Sequence, residues 1–399
     1  MNSNTPYWVW LQSALGAGAR IKEIIEYFGG VKEIYDAGET EWKMSPVLVP
    51  RQVEHLKSCS LSKAKDVLTV CKLNSWQVLT PDDCEYPRRL YDIDNPPAVL
   101  YVSGTLPDID NSVAIGIVGT RKASDYAVKA ADVMSRGISK LGAVVVSGGA
   151  LGVDTAAHNA AILSGGKTVA VLGCGLGTNY LMENKPLRDA IAANGALVTE
   201  FQPFTKASRY TFPVRNRIIS GLSLGILVVE AGIKSGSLIT AGYAADQGRD
   251  VYAVPCSILE PQYAGTNKLI DEGAVVATKP LDLVYPYAER FGIDVSGAKS
   301  VGTIMKETFH KAVNAKNTST ISFENLNSSR AKRAERQKAA AQLSGNTLTV
   351  YRALGDEYMH VDEIAAKTSL ATGAVLTALT ALEIADLVQS AGGKRYKLS

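Results

Sequence analysis

From Trp76 to Tyr287 the chain alternates short, unbroken apolar runs with helix-length segments, and glycine turns follow several of the runs. The runs predict strands over Trp76–Leu79, Ala98–Ser103, Val113–Val118, Ala143–Ser147, Thr168–Leu172, Leu197–Thr199, Gly225–Val229, Val251–Val254 and Val275–Val276. Between them, helices are expected over Ser124–Leu141, Val153–Ser164, Pro186–Ala193, Arg215–Leu222, Ser237–Gln247 and Asn267–Glu272. Runs without polar alternation suit strands buried on both faces. Their alternation with helices predicts an α/β fold built on a mostly parallel sheet. Ligands in such sheets bind beyond the carboxyl ends of the strands, so those loops are where chemistry is sought.

The flanks follow other rhythms. Residues 7–75 read as short helices, Tyr7–Leu15, Ile21–Tyr27, Val31–Asp36, Pro50–Lys57 and Ser62–Leu73, punctuated by Gly16-Ala17-Gly18 and Gly29-Gly30. Gly16-Ala17-Gly18 is expected as a turn between packed helices, although such a turn also offers backbone N–H groups to an anion. Residues 288–345 lose the pattern and carry a basic run, Arg330, Lys332, Arg333, Arg336 and Lys338, as a flexible or partly helical linker would. Residues 346–399 regain it. Helices over Thr347–Leu354, Val361–Lys367 and Thr372–Ile384, then a ribbon of Leu387–Ser390 and Arg395–Leu398 around Gly392-Gly393, predict a winged helix-turn-helix. Its third helix has almost no Lys or Arg, and only Lys394, Arg395 and Lys397 on the wing are basic, which counts against strong groove reading.

At 399 residues the chain is expected to hold two or three domains. No apolar run approaches the roughly 20 residues needed to span a bilayer. No membrane contact is expected and no basic-then-apolar amino-terminal segment marks a secretory signal, while the scattered cysteines, odd in number, favour a reducing cytoplasm. Cys59, Cys71, Cys84, Cys174 and Cys256 are scattered and never paired as CxxC, which argues against a disulfide framework or a structural zinc site. The four histidines are spread too widely for a metal site, and no cofactor is expected. A net charge of +3 is small, so any affinity for nucleic acid must come from local clustering.

Four loops are expected to converge at the carboxyl edge. Gly119-Thr120-Arg121-Lys122-Ala123-Ser124 sets two cations and a hydroxyl at a helix start, an ordinary anion site. Ser147-Gly148-Gly149-Ala150-Leu151-Gly152-Val153-Asp154 reads as a backbone nest leading into a helix with His158. Gly173-Cys174-Gly175-Leu176-Gly177, with Glu200 ending the next strand, resembles a dinucleotide turn, but Thr178 through Lys185 separate it from its helix and disfavour NAD binding. The fourth loop is Phe212-Pro213-Val214-Arg215-Asn216-Arg217, with Lys206 and Arg209 upstream; guanidinium forks beside an aromatic face suit a phosphate backbone with an unstacked base. The competing reading is an arginine spread over a core edge or paired to a carboxylate. Lys234-Ser235-Gly236-Ser237 opens a further helix after Glu230, the one carboxylate placed for hydrolysis. His158 is expected as a structural hydrogen-bonder and Cys256 as a core or turn residue, so no catalytic group is assigned.

Taken in order, Gly119-Thr120-Arg121, Ser147-Gly148-Gly149-Ala150-Leu151-Gly152-Val153-Asp154 with His158, Phe212-Pro213-Val214-Arg215-Asn216-Arg217-Ile218-Ile219-Ser220, Glu230-Ala231 with Ser235-Gly236-Ser237, and Gly248-Arg249 with Ala253-Val254-Pro255 resemble the DNA-processing protein A (DprA, or Smf) family. The resemblance runs from about Trp76 to Tyr287. It departs from the family pattern at Gly177-Thr178-Asn179-Tyr180-Leu181 and at Cys256. It implies an extended Rossmann-like core over 76–287, a helical sterile-alpha-motif-like domain over 1–75, a basic linker over 288–345 and a winged helix over 346–399. It also implies a non-enzymatic homodimer that binds single-stranded DNA, protects incoming strands in natural transformation and helps load the RecA recombinase. By motif position Arg121, Arg215 and Arg217 would contact phosphates, Phe212 would stack on a base, and Ser147, Gly148 and Gly149 would hold backbone oxygens. Lys122, Asn216, Lys206, Arg209 and Lys234 complete the expected DNA-binding set. The alternatives are a nucleotide phosphoribohydrolase, whose Pro-Gly-Gly-x-Gly-Thr-x-x-Glu motif is missing here, and a duplex-binding regulator acting through the last domain.

Overall fold

The computed structural model describes residues 2–180, 184–295, 344–355, 358–384, 387–391 and 394–398. They fall into two compact units, one within Met1–His310 and one within Lys311–Ser399. Most of the expected linker, 296–343, lies outside the described residues.

In the first unit nine strands form one sheet: β1 Gln77–Leu79, β2 Leu100–Gly104, β3 Ala114–Val118, β4 Val144–Ser147, β5 Thr168–Val171, β6 Ala196–Thr199, β7 Gly225–Val228, β8 Asp250–Ala253 and β9 Val275–Val276. Their order is β1-β2-β6-β5-β4-β3-β7-β8-β9. The seven from β6 to β9 run parallel, with Ile115 opposite both Val145 and Gly225. β2 and β1 add antiparallel at one edge. From β3 the chain steps outward through β4, β5 and β6, then returns to start β7 on the other side of β3. The β3–β7 boundary is therefore a topological switch point, where such sheets open a crevice.

The apolar strands are buried on both faces, as their composition requires. Along β3, Ala114 and Val118 join one core with Val144, Val146, Ile219 and Val228, while Ile115 and Ile117 join the other with Val145, Ala131 and Leu227. Gly116 on the first face has no room for a side chain: a Cβ there would meet Ser223 and Ile226. The missing carbon lets the helix Thr211–Leu222 lie close against the sheet.

The amino-terminal helices are Thr5–Leu15, Ile21–Phe28, Val31–Met44, Pro50–Ser58 and Leu61–Leu73. They do not form a separate core. Trp8, Trp10, Leu11 and Ile24 are buried in one cluster with Val78, Tyr101, Ala170 and Leu197 of the sheet. The span Val31–Met44 is two helical pieces joined at Gly38, whose φ 74° and ψ −179° are not helical, so the first piece ends close to the expected Asp36.

In the second unit the helices Gly345–Ala353, Val361–Thr368 and Thr372–Ile384 surround a core of Val350, Val361, Ile364, Val375, Leu379 and Leu382. The ribbon β11 Val388–Ala391 and β12 Arg395–Leu398 gains a third strand, β10 Met359–His360, in the order β10-β12-β11. This is the winged-helix arrangement that the pattern predicted. No single described helix is long and apolar enough to cross a membrane.

Candidate nucleic-acid interface

Two clefts open at the β3–β7 switch point. The first, about 350 Å³, is lined by Gly119, Thr120, Arg121, Asp154, Phe212, Arg215 and Asn216 together with Ser235-Gly236-Ser237. Beside it a shallower hollow of about 470 Å³ is lined by Thr120, Lys122, Ser124, Glu230, Lys234 and Gln262. The loop after β3 is held against the end of β7 by Thr120 N–H donating to Glu230 O at 2.9 Å. Two helices start at the clefts, each capped by a serine. Ser124 Oγ accepts from Ala127 N at 3.2 Å, and Ser235 Oγ accepts from Ser237 N at 3.4 Å.

Arg121 is exposed, and its guanidinium carbon sits 4.6 Å from the centroid of Phe212. Arg121 makes no ion pair among the described residues. Phe212 is half-buried in the first turn of the helix Thr211–Leu222, a place where Pro213 sacrifices no hydrogen bond. A planar cation over a ring at a cleft mouth offers a phosphate partner and a stacking face together.

Arg215 lines the same cleft but is buried and committed. Its Nη1 donates to Gly148 O at 2.7 Å and to Val171 O, and its Nε donates to Asn216 Oδ1 at 3.2 Å. Asn216 Nδ2 in turn donates to Gly236 O at 3.3 Å, fixing one helix to the start of the next. Burial holds the Arg215 guanidinium below its usual range, opposed by the carboxylate of Asp154; burial likewise raises Asp154 above the usual carboxylate range against the pull of Arg215.

Two expectations need correction. The Ser147-Gly148-Gly149 segment is buried and is not an open nest. Gly148 N and Ala150 N donate to Asp154 Oδ2 at 3.1 and 3.3 Å, and Ser147 Oγ donates to Ile117 O at 2.6 Å. The chain's own carboxylate occupies the amides that a phosphate would need. Arg217 points to the other side of its helix, where it is buried against Glu200 and the Gly18 turn, away from the cleft. Glu200 is correspondingly an ion-pair partner. Arg121, Phe212, Arg215 and Asn216 do come together; Lys122 and Lys234 are exposed on the neighbouring hollow, and Lys206 and Arg209 are exposed on the loop before Phe212.

The groups weighed for catalysis are tied down. Glu230 is buried, and its carboxylate accepts from Ser124 N at 3.3 Å and from Ser124 Oγ. It orients a helix cap. His158 is buried with Nδ1 2.7 Å from Thr168 Oγ1; the Thr168 hydroxyl donates to Val145 O, so Nδ1 carries the proton and Nε2 is a bare lone pair. Burial, reinforced by Arg215, lowers its pKa to about 3. Burial raises the Cys256 thiol to about 11, the wrong direction for a nucleophile. No group of residues that could hold a metal occurs among those described.

Sequence reading named Tyr180 only within a departure from the family pattern and passed over Arg188. Tyr180 packs on Phe212 with centroids 5.6 Å apart. Arg188 donates to the carbonyls of Leu176, Thr178 and Tyr180 at 3.3, 3.4 and 3.2 Å, bracing the loop behind the ring. Only the Thr178–Lys185 gap, which keeps the helix away from the glycine turn, hinted at such a brace.

Residues 77–288 match the family model described as DNA recombination-mediator protein A, and residues 334–394 match the DprA winged helix domain. The chain is 32% identical to Protein Smf of Synechocystis over 99% of both chains. It is 37% identical to DNA processing protein DprA of Bacillus subtilis over 62% of this chain and 86% of that one. The X-ray structure of DprA from Streptococcus pneumoniae superposes with a TM-score of 0.62 at 32% identity, covering 70% of this chain and 97% of that one.

Proposed function

We propose a function on one fixed premise: the chain belongs to the DNA recombination-mediator protein A family. It acts on DNA in recombination, and the Arg121–Phe212 cleft is its grip on a single strand. The observation that carries this reading is the Arg121 guanidinium lying over the Phe212 ring at the mouth of a cleft whose floor holds Arg215. Exposed Arg121, Lys122, Lys234, Lys206 and Arg209 meet the phosphates. Phe212 meets a base that only a single strand can splay out. Stacking of this kind is worth about 1–3 kcal/mol per base and tolerates any sequence.

The grip needs no bond-breaking group, and Glu230, His158 and Cys256 are each held in a structural role. The protein is therefore read as a binder, without a catalytic step. In the cytoplasm it would protect a strand, act as a homodimer and hand the strand to a RecA-type recombinase. The helical region over 1–75, the sheet over 76–287 and the winged helix over 346–399 are the three parts of that machine.

The test is a fluorescence titration of labelled oligo(dT) against a duplex of equal length over a series of salt concentrations. Tight single-strand binding that falls with salt, at a slope of about −0.7 per phosphate neutralised, supports the reading. Equal affinity for duplex, or no dependence on salt, overturns it.

A further inference from the structure

The glycines of Gly173-Cys174-Gly175-Leu176-Gly177 have a use of their own. A Cβ on Gly173 would stand 2.8 Å from Phe212 Cδ1, and a Cβ on Gly177 would stand 2.6 Å from Phe204 Cε1. Each bare glycine is thus the bed of one aromatic ring. The loop is clipped to the next segment by Gly175 N–H donating to Thr205 O at 2.9 Å and Gly177 N–H donating to Pro203 O at 2.8 Å. A Cβ on Gly175 would run into the carbonyls of Gln202 and Pro203. One rigid loop therefore carries two rings, Phe212 at its start and Phe204 at its end.

Phe204 is 64% exposed, and Tyr210, on the same segment, is 68% exposed. A single exposed ring needs no explanation. Two rings with cations between them do. Lys206 is exposed, and the Arg209 guanidinium lies 4.8 Å from the Tyr210 centroid and donates to its hydroxyl at 2.7 Å. From Phe201 to Arg217 the chain has no acidic residue.

We infer that the segment from Phe204 to Tyr210 is a second stacking surface for single-stranded nucleic acid, continuing the strand that leaves the Phe212 cleft. The inference rests on the cleft reading and adds a path to it. Three residues separate the two glycine beds, Gly173 and Gly177, and the four steps between them span at most about 14 Å of extended backbone, a reach of a few nucleotides. Charge decides the occupant: rings flanked by Lys206 and Arg209, without a carboxylate, match the alternation of base and phosphate along a flexible strand.

The test uses the full chain with Phe204→Leu and Tyr210→Leu, singly and together, and with Phe204→Trp and Tyr210→Phe. Each is titrated with labelled oligo(dT) of increasing length. The leucine variants keep wild-type affinity for the shortest oligonucleotides and lose about fivefold or more per ring on longer ones. The variants that keep an aromatic ring behave as wild type, which an apolar packing role alone would not require. Unchanged binding at every length, or an equal loss at every length, overturns the second surface while leaving the cleft reading intact. Wild-type protein that binds no single strand ends both. Weaker self-association in sedimentation with unchanged DNA affinity also overturns the inference and assigns the rings to a protein contact.

Discussion

Arg217 Nη2 lies 2.6 Å from Glu200 Oε2, with the two side chains only 5% and 1% exposed. The same carboxylate oxygen accepts from Gly18 N at 3.2 Å, and Glu200 O accepts from Gln12 Nε2. The pair therefore sits where the amino-terminal helices meet the sheet. It is not fully satisfied: Arg217 Nε and Nη1 and Glu200 Oε1 have no hydrogen-bond partner among the described residues. Arg215, two residues earlier, faces the cleft, so one helix divides its two arginines between the cleft and the contact with the amino-terminal helices.

Removing one half of that pair strands a buried charge. Arg217→Ala is expected to destabilise the fold by about 3–5 kcal/mol, whereas replacing both residues with apolar ones of similar size costs far less. Urea unfolding checks this. The salt slope of DNA binding should be unaffected in any Arg217 variant that folds, and a slope reduced by a full phosphate contact would restore Arg217 to the interface.

Arg121 gives the opposite signature. It is exposed and rests on Phe212, so Arg121→Ala should leave the unfolding free energy from urea titration within about 0.5 kcal/mol of wild type. It should also reduce the single-strand salt slope by about 0.7, the share of one phosphate. Phe212→Ala should cost about 1–3 kcal/mol of affinity with little change in slope. Titrations at several salt concentrations separate the two.

This division was only half legible in the sequence. The apolar runs Val113–Val118 and Ala143–Ser147 declare buried strands by composition alone, but the switch point does not show, because alternation with helices leaves open on which side of β3 the strand β7 is laid. The partners of the charges do not show. Glu200 lies 17 residues from Arg217, Gly148 lies 67 from Arg215, and only the folded sheet brings them together. Asp154 sits within the very motif read as an anion nest, yet nothing in the spacing says that its carboxylate turns back onto Gly148 N. The two-residue strand Met359–His360 is too short to leave a pattern of its own.

His158 supplies a pH signature. Its pKa is about 3 in the folded chain, mainly through burial, against an ordinary value near 6.5. Between those values the unfolded chain binds a proton that the folded chain does not. The stability that neutral His158 contributes is thus complete above about pH 6.5 and is lost as pH falls toward 3, by about 1.4 kcal/mol per unit. His158→Gln removes this component, so the difference between wild-type and variant urea midpoints should shrink steadily on acidification from neutral pH. A difference constant with pH would mean that the imidazole is not held neutral.

Gly173 tests whether ring placement, apart from fold, governs binding. A methyl group there would press on Phe212 at 2.8 Å from Cδ1, a half-buried side chain covered by the exposed Arg121 and therefore able to move. Gly175→Ala instead meets backbone carbonyls, which cannot yield cheaply. Gly173→Ala is accordingly expected to keep a wild-type melting temperature while weakening single-strand affinity several-fold through a displaced ring. Gly175→Ala should lower the melting temperature itself. Both are read by thermal unfolding and by the same oligonucleotide titration. If Gly173→Ala binds as tightly as wild type, the position of the Phe212 ring does not set the affinity, and stacking there is not the source of the grip.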